Sequence, residues 1–463
     1  MTLLSFTFFL IMFILIGALS SLKRKASTSD YLLAGHSTKP WLVGFAAVAT
    51  NCSGYMFIGL IGFTYKYGLA SMWLIIGGMS GDFAASLFCH KKLREASAKH
   101  HSLSFSGTIA NWYGQNHKKV QFVGGIATFL FLAAYASAQL TAGGKALYVL
   151  FGWDYSRGIL LGAFVILIYC FMGGVRASIW TNTAQAFVMI ISMVLLFFSA
   201  INEIGGFKIF TESLLAISPN FTSILPYNLD YGSIGIIIFI VGWFFGGVTV
   251  IGQPHIMLAF MTMEKPKDIT KIRFYYYGWY VIFSTLTIGV GLTSRILIPE
   301  LQNFDSELAM PTLAQSLMPE ILLGFILAGL FSATMSTADS QILCCASALT
   351  NDITKKTSYI ATKVATILST IVAISIALWG GASVFKLALI SWSALSSVFA
   401  PLFILYAMGK KTTQKQALII MVTGLSAMLI WLSLGLSELF YEAGTGLIAG
   451  LLAYPIVKKL VKS

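Results

Sequence analysis

Apolar residues run along this chain in long blocks, each closed by a short polar cluster. Blocks of spanning length fall near 3–22, 38–64, 69–90, 121–150, 157–176, 178–202, 232–261, 274–298, 309–349, 359–380, 383–408, 415–434 and 437–457. A helix needs about 20 apolar residues to cross the hydrocarbon of a bilayer. Backbone polar groups in lipid must be bonded within the segment, which favours helices. The pattern therefore predicts an all-α polytopic membrane protein of about 13 transmembrane helices, forming one domain over residues 1–463. The block 309–349 is too long for one crossing, so its start is expected to be a re-entrant or surface piece. The connection 203–231 is amphipathic and is expected to hold a short surface helix.

Composition agrees with this reading. The chain is 57% hydrophobic and 10% charged, against about 25% charged residues in soluble domains. A net charge of +13 could suggest nucleic acid, but its distribution points to loops. One alternating set of connections carries Lys23, Arg24 and Lys25; Lys91, Lys92, Arg94, Lys99, Lys118 and Lys119; Lys265, Lys267, Lys271 and Arg273; Lys355 and Lys356; Lys410, Lys411 and Lys415; and Lys458, Lys459 and Lys462. The other set carries Glu203, Glu212, Asp230, Glu300, Asp305, Glu307, Glu438 and Glu442. Basic loops stay in the cytoplasm, which predicts a plasma (inner) membrane protein with its N-terminus outside and C-terminus inside. The block at Leu3 lacks a basic leader and a cleavage pattern, so it is expected to be retained. Five cysteines sit in or beside apolar blocks and suggest neither a disulfide framework nor a metal site.

Three blocks are interrupted by polar residues. Block 326–352 carries Ser332, Thr334, Ser336, Thr337, Asp339, Ser340 and Gln341 within ten residues. Ala333, Ser336, Thr337 and Ser340 share a helical face. Such a face suits a small hard cation, which prefers oxygen ligands; the competing reading is back-bonding of the hydroxyls to preceding carbonyls. Block 38–64 breaks at Thr50-Asn51-Cys52-Ser53-Gly54. Block 232–261 breaks through Gly242-Trp243, Gly246-Gly247 and Gly252-Gln253-Pro254-His255. Non-helical backbone at membrane depth is tolerated where it lines a site, and interrupted spans in corresponding places of two halves point to a transporter binding site. Glycine also serves close helix packing, which is the alternative for either break taken alone. A carboxylate at the membrane centre is costly unless paired or hydrated, so Asp339 is a functional candidate, its alternative being a brace between helices. Asp82 is expected to pair with a basic group near the inner surface. Lys145 and Arg295 are expected to reach the outer surface, and His255 to hydrogen-bond within its kinked helix.

Several of these stretches resemble the sodium:solute symporter family, its sodium/proline branch above all. They are Ser53-Gly54-Tyr55, the run GGVRASIWTNTAQAF at 173–187, GQPHI at 252–256, the run SATMSTADSQILCCASALTND at 332–352, and the basic Leu-Arg ending of the block at 69–94. The resemblance covers essentially the whole chain. It implies a LeuT-like core of two inverted five-helix repeats, about 38–202 and 232–408, with one helix before and two after. It also implies sodium-coupled import of a small organic solute by alternating access. One sodium site would use Ala49, Cys52 and Ala333 through carbonyls and Ser336 and Thr337 through hydroxyls. Asp339, Ser340 and Asn182 would form a second ion or coupling position. The solute would lie beside Asn51, Ser53, Gly54, Tyr55, Tyr135, Trp243, Gln253 and His255. No cofactor beyond the coupling Na+ is implied, and the partners are the solute, sodium and the bilayer, not nucleic acid.

The chain departs from the family pattern at Asn51 and Asn182, where aspartates are expected, at Tyr55 for a tryptophan, and at Ala259 for an arginine. The spacing from Gly242-Trp243 to GQPHI is also about three residues long. These departures bear on the solute, which is expected to be an amino acid such as proline, the alternatives being pantothenate-like or sialic-acid-like carboxylates. A transporter-like sensor is disfavoured because the chain ends just past its last block. An enzyme is disfavoured because no catalytic constellation stands out. A channel would equilibrate solute rather than accumulate it.

Overall fold

Ten helical runs are long and apolar enough to cross a membrane in the computed structural model, which describes residues 1–22, 25–226, 232–299, 304–380 and 383–460. Lys23, Arg24, Asp230, Glu300 and Lys462, part of the loop-charge argument, lie outside these residues. The helices that build the site are α1 (Thr2–Ser21), α2 (Pro40–Gly54), α3 (Ile61–Tyr67), α4 (Met72–Ser86), α5 (Lys118–Phe151), α6 (Tyr155–Ile204), α7 (Gly232–Val248), α8 (Pro254–Met261), α9 (Ile269–Leu297), α10 (Glu320–Ser347), α11 (Tyr359–Trp379), α12 (Val384–Ala407), α13 (Gln414–Ser433) and α14 (Glu442–Leu460).

Two of the ten runs exceed one crossing. The 50 residues of α6 would span about 75 Å if straight. The helix breaks at Gly174, with φ 57° and ψ −144°, where a Cβ would lie 2.3 Å from the Tyr31 carbonyl oxygen. Only glycine fits such a position readily, and the break falls where the apolar pattern separates 157–176 from 178–202. The 47-residue run Pro40–Ser86 contains α2, a π-helical stretch at Tyr55–Leu60, α3, a turn at Gly68 with φ 67°, and α4. The over-long block at 309–349 resolves into a short helix, Ala309–Leu317, followed by α10. The amphipathic connection carries the helix Phe207–Ile217. The thirteen expected blocks thus map onto these ten runs, two of them divided, together with α14, which is not among the ten.

α10 is the centre. Every residue from Ile326 to Ser347 is buried, because α1, α2, α5, α6, α8 and α11 all pack on it. A helix that meets lipid nowhere along its middle can carry hydroxyls and a carboxylate at membrane depth, provided its neighbours satisfy them. α4 and α7 approach backbone to backbone. A Cβ on Gly247 would lie 1.9 Å from the Gly78 carbonyl oxygen, and one on Gly81 would lie 1.9 Å from that of Phe244. At one end the chain before α2 is stitched to the end of α8. Thr38 N–H donates to the Thr262 carbonyl at 3.2 Å, Glu264 N–H returns a bond to Thr38 at 3.2 Å, His36 Nδ1 donates to Met261 at 2.9 Å, and Arg94 Nε donates to Met263 at 2.6 Å.

Candidate sodium and solute site

The first broken helix opens at Ser53, whose φ of 30° and ψ of 175° leave the helical region. A non-glycine residue at positive φ costs on the order of 1–3 kcal/mol; surrounding bonds hold it there. The freed Gly54 N–H donates to Gln139 Oε1 of α5 at 2.8 Å. Ser53 Oγ accepts from Tyr55 N–H at 3.1 Å and from the Tyr135 hydroxyl at 3.4 Å. The second break is a 3-10 turn, Thr249–Gly252, then extended Gln253 and Pro254 as the first residue of α8. Proline suits that place because its missing N–H would be unpaired there anyway. Gln253 Nε2 donates to the Trp392 carbonyl at 2.9 Å and to Ser396 Oγ at 2.8 Å, and Ser396 Oγ donates to Thr249 O at 3.2 Å. The break is therefore braced against α12.

Next to the first break, α10 turns its hydroxyls onto the last carbonyls of α2. Ser336 Oγ donates to Ala49 O at 3.1 Å and to Ala333 O at 3.1 Å. Thr337 Oγ1 donates to Thr50 O at 2.8 Å and to Ala333 O at 3.2 Å. Both side chains are fully buried. Back-bonding to Ala333 thus occurs, but each hydroxyl also crosses to the facing helix, which back-bonding alone does not explain. Three carbonyls and two hydroxyls converge, a donor set of neutral oxygens that suits a hard monovalent cation. Of the expected sodium ligands, Ala49, Ala333, Ser336 and Thr337 meet here. Cys52 is buried but has no described hydrogen bond to Ser336 or Thr337, and the carbonyl that Thr337 reaches is that of Thr50.

Asp339 stands one turn along from Ser336 and is fully buried. Its Oδ1 accepts from Ser340 Oγ at 2.9 Å and from Asn182 Nδ2 at 3.2 Å, while Oδ2 has no hydrogen-bond partner. Asn182 Nδ2 also lies 3.0 Å from Ser336 O and 3.3 Å from Thr50 Oγ1, Ser178 Oγ and Ser340 Oγ. An amide has two N–H bonds, so it serves two of these acceptors at a time. The expected trio Asp339, Ser340 and Asn182 is one network, in contact with the hydroxyl site through Ser336 O.

A cavity opens beside the first break, lined by Asn51, Tyr55, Tyr135, Trp243, Tyr280, Trp392 and Tyr441 among others. Trp243 stacks on Tyr441 at 4.8 Å and 13°. Asn51 Nδ2 donates to the Tyr276 hydroxyl at 2.6 Å, which fixes the amide on the wall. None of the lining residues is charged. Four of the expected solute residues, Asn51, Tyr55, Tyr135 and Trp243, are on this wall; Ser53, Gly54, Gln253 and His255 stand behind it. His255 does not hydrogen-bond within its helix as expected. Both its ring nitrogens lack partners, and its ring meets those of Tyr135 at 5.6 Å and Trp392 at 6.5 Å.

Two further expectations change, at Asp82 and Lys145. Asp82 has no basic partner: it is 1% exposed and absent from every ion pair among the described residues. Lys145 is folded in, bonded to Glu307 at 2.5 Å and Asp305 at 3.0 Å, because two carboxylates meet it before water does. Arg295 lies 5.4 Å from the Tyr65 ring centre. Sequence reasoning missed Gln139, Tyr276, Tyr280, Trp392 and Tyr441. Gln139, a lone amide within an apolar block, carried a usable signal; the aromatics did not, since rings are frequent throughout.

A model of the sodium:solute symporter family matches residues 31–424. The high-affinity proline transporter PutP of Bacillus subtilis (strain 168) is 27% identical over 453 residues, 95% of this chain and 94% of that protein. A sodium/proline symporter of Staphylococcus aureus (strain USA300) is 28% identical over 477 residues, 98% of this chain and 91% of its own. In structure the chain is similar to a Na+-coupled sialic acid symporter in a substrate-bound outward-open state, with a TM-score of 0.85, 19% identity and coverage of 99% of this chain and 97% of that one. It is also similar to MhsT in complex with L-phenylalanine, with a TM-score of 0.61, 14% identity and coverage of 90% and 98%. The fold is thus of the LeuT type, as the sequence resemblance implied, and the relatives are transporters rather than enzymes. A multi-pass helical chain with two broken helices, one of them ending at an oxygen-lined position, matched by the family model over most of its length, belongs to the sodium:solute symporter family.

Proposed function

We propose that this protein uses a sodium gradient to import a small carboxylate-bearing solute, an amino acid such as proline, across the plasma membrane, with its N-terminus outside and C-terminus in the cytoplasm. The observation that carries the reading is the crossing of Ser336 and Thr337 from α10 onto the Ala49 and Thr50 carbonyls, at the end of a broken helix whose next residues line a cavity. Sodium would sit among those oxygens, the two hydroxyls rotating to turn their lone pairs toward it, and hold α2 against α10. The Asn51 wall would thereby be fixed in position for solute. A ligand that binds the assembled form and not the open one stabilises it by mass action. The stitch from Thr38 and His36 to the end of α8 fits a form shut on the side of the basic loops, as alternating access requires.

A second solute class is favoured by one feature. The cavity wall is uncharged, and position 51 is an amide, so nothing there neutralises an ammonium group. A pantothenate-like or sialic-acid-like carboxylate fits that wall as well as a zwitterion does. A thermal-shift screen of the purified protein against amino acids and organic acids, with sodium and with choline, separates the classes. Stabilisation by proline only with sodium supports the first; stabilisation by the other carboxylates alone moves the assignment to them. Uptake into sealed vesicles that equilibrates without a sodium gradient would remove the symport reading.

A further inference from the structure

The hydroxyl site and its network use one buried acid, Asp339. A second buried acid, Asp82 of α4, is left over. Its side chain is 1% exposed, and neither carboxylate oxygen has a hydrogen-bond partner. The other buried acids differ. Asp30 pairs with Arg176 and Glu307 with Lys145. Asp352 accepts from Ser104 Oγ at 2.6 Å and Gln121 Nε2 at 2.8 Å, and Glu442 accepts from Ser393 Oγ at 3.2 Å. The titratable groups around Asp82 are Tyr276 and Tyr277 of α9, with Cys52 of α2 and Tyr280 of α9 farther off within electrostatic range. The hydroxyls of Tyr276 and Tyr277 are its polar neighbours, yet neither meets hydrogen-bond geometry with it, and the Tyr277 hydroxyl is itself buried without a partner. The adjacent Gly81 packs directly on the α7 backbone at Phe244 and Val248. Arg273, one turn before Tyr277, donates its Nη2 to the Ser86 carbonyl at 2.5 Å instead.

A carboxylate sealed at membrane depth with no basic partner and no hydrogen bond in place is not stable as a bare anion; it takes up a proton or holds a cation. The pocket offers further oxygens for that cation in two tyrosine hydroxyls. It also connects to the solute cavity, because the Tyr276 hydroxyl beside Asp82 receives the Asn51 amide at 2.6 Å. We propose that Asp82, with Tyr276 and Tyr277, forms a second monovalent-cation site, for sodium or a proton, linked to the solute wall through Tyr276 and Asn51. The core then holds two cations, one beside Asp339 and one at Asp82. Solute that fixes Asn51 also fixes Tyr276, so occupancy of the cavity and of the Asp82 site rise together.

The proposal rests on the cation-coupled reading of the hydroxyl site, and the test keeps the two apart. Equilibrium binding of 22Na+ to the purified full chain is counted per protein, and bound protons are counted by titration in unbuffered solution, for wild type, Asp82→Asn and Thr337→Ala. The expected result is that Asp82→Asn binds one cation fewer than wild type. Sodium as ligand appears as a fall from two 22Na+ to one. A proton as ligand appears as an unchanged single 22Na+ with one titrating proton lost. Thr337→Ala should weaken the other site and leave the Asp82 cation in place. Identical sodium and proton counts in wild type and Asp82→Asn would overturn the proposal. Should Asp82→Asn fold poorly, Tyr277→Phe should weaken the second cation several-fold while sparing the first, and a well-folded Tyr277→Phe with wild-type sodium and proton counts would overturn the proposal. Absence of all sodium binding to wild type would instead sink the reading of the hydroxyl site.

Discussion

Replacing Thr337 with Ala tests the sodium assignment most directly. The Thr337 hydroxyl is buried and bridges Thr50 O at 2.8 Å and Ala333 O at 3.2 Å. It is one of five oxygens that converge at the end of α2. Interactions of a neutral hydrogen-bonding group with a charge contribute roughly 1.5–3 kcal/mol, and about 1.4 kcal/mol is a factor of ten in affinity. Thr337→Ala should therefore raise the sodium concentration for half-maximal uptake about 10- to 100-fold. The Thr50 carbonyl also loses a donor, which costs on the order of 1–3 kcal/mol of stability. Thr337→Ser keeps the hydroxyl and loses only a methyl group, so its sodium dependence should stay within about threefold of wild type. The assay is initial-rate uptake in proteoliposomes at fixed membrane potential over a range of sodium, with folded yield checked by size-exclusion chromatography. A well-folded Ala variant with wild-type sodium dependence would mean that the Thr337 hydroxyl serves only to join two helices.

Asp339→Asn should impair sodium-driven uptake far more than Asn182→Ala, and the exchanged pair Asn182→Asp with Asp339→Asn should recover part of the loss; sodium titrations of the three variants check this. Sodium and solute should strengthen each other's equilibrium binding by the same factor, measured by titrating each at fixed levels of the other; independent affinities would refute coupling. Trp243→Ala removes a ring stacked on Tyr441 and should weaken solute binding about tenfold, from lost burial and ring contact of about 1.5 kcal/mol. Sodium binding without solute should be unchanged in the same variant, as read by thermal shift.

Much of the architecture was legible because the physics of lipid is severe. Apolar blocks, their polar interruptions and the paired breaks at Ser53 and Gln253 follow from where backbone can lose its internal bonds. The hydroxyl face of α10 was legible for the same reason, since seven polar residues in ten cannot face lipid. What stayed hidden depends on which helices meet. Thr50 reads like any polar residue of the break until Thr337 is seen to reach its carbonyl. Tyr441 lies nearly two hundred residues from Trp243, and no period or spacing relates them. His255 and Gln253 belong to a conspicuous motif, yet the extended turn before Pro254 directs Gln253 onto α12, behind the cavity. Lys145 misled because a lone cation near a helix end is usually solvated, whereas here a loop carries Asp305 and Glu307 over it.

The pairing of Asn182 with Asp339 keeps a carboxylate in the network although position 182 is an amide. The resemblance leads one to expect a carboxylate on α6 at that position. Here α6 presents an amide, and the carboxylate stands on α10, 3.2 Å away. The sum of charge in the network is the same as for an acid on α6 facing a neutral α10; only the helix that carries it differs. Placement on α10 has two consequences. The charge lies one turn from Ser336, on the element buried on all sides, so the field at the hydroxyl site is screened by protein rather than by water. The amide, in turn, donates to the carboxylate and to Ser336 O, holding Asp339 as an acceptor whose free Oδ2 can face a cation. An Asp339→Asn variant would keep the shape and lose that field, whereas the exchanged pair returns a carboxylate to within a few ångström of the same oxygens. Recovery in the exchanged pair would therefore show that the site needs the charge more than the helix that bears it.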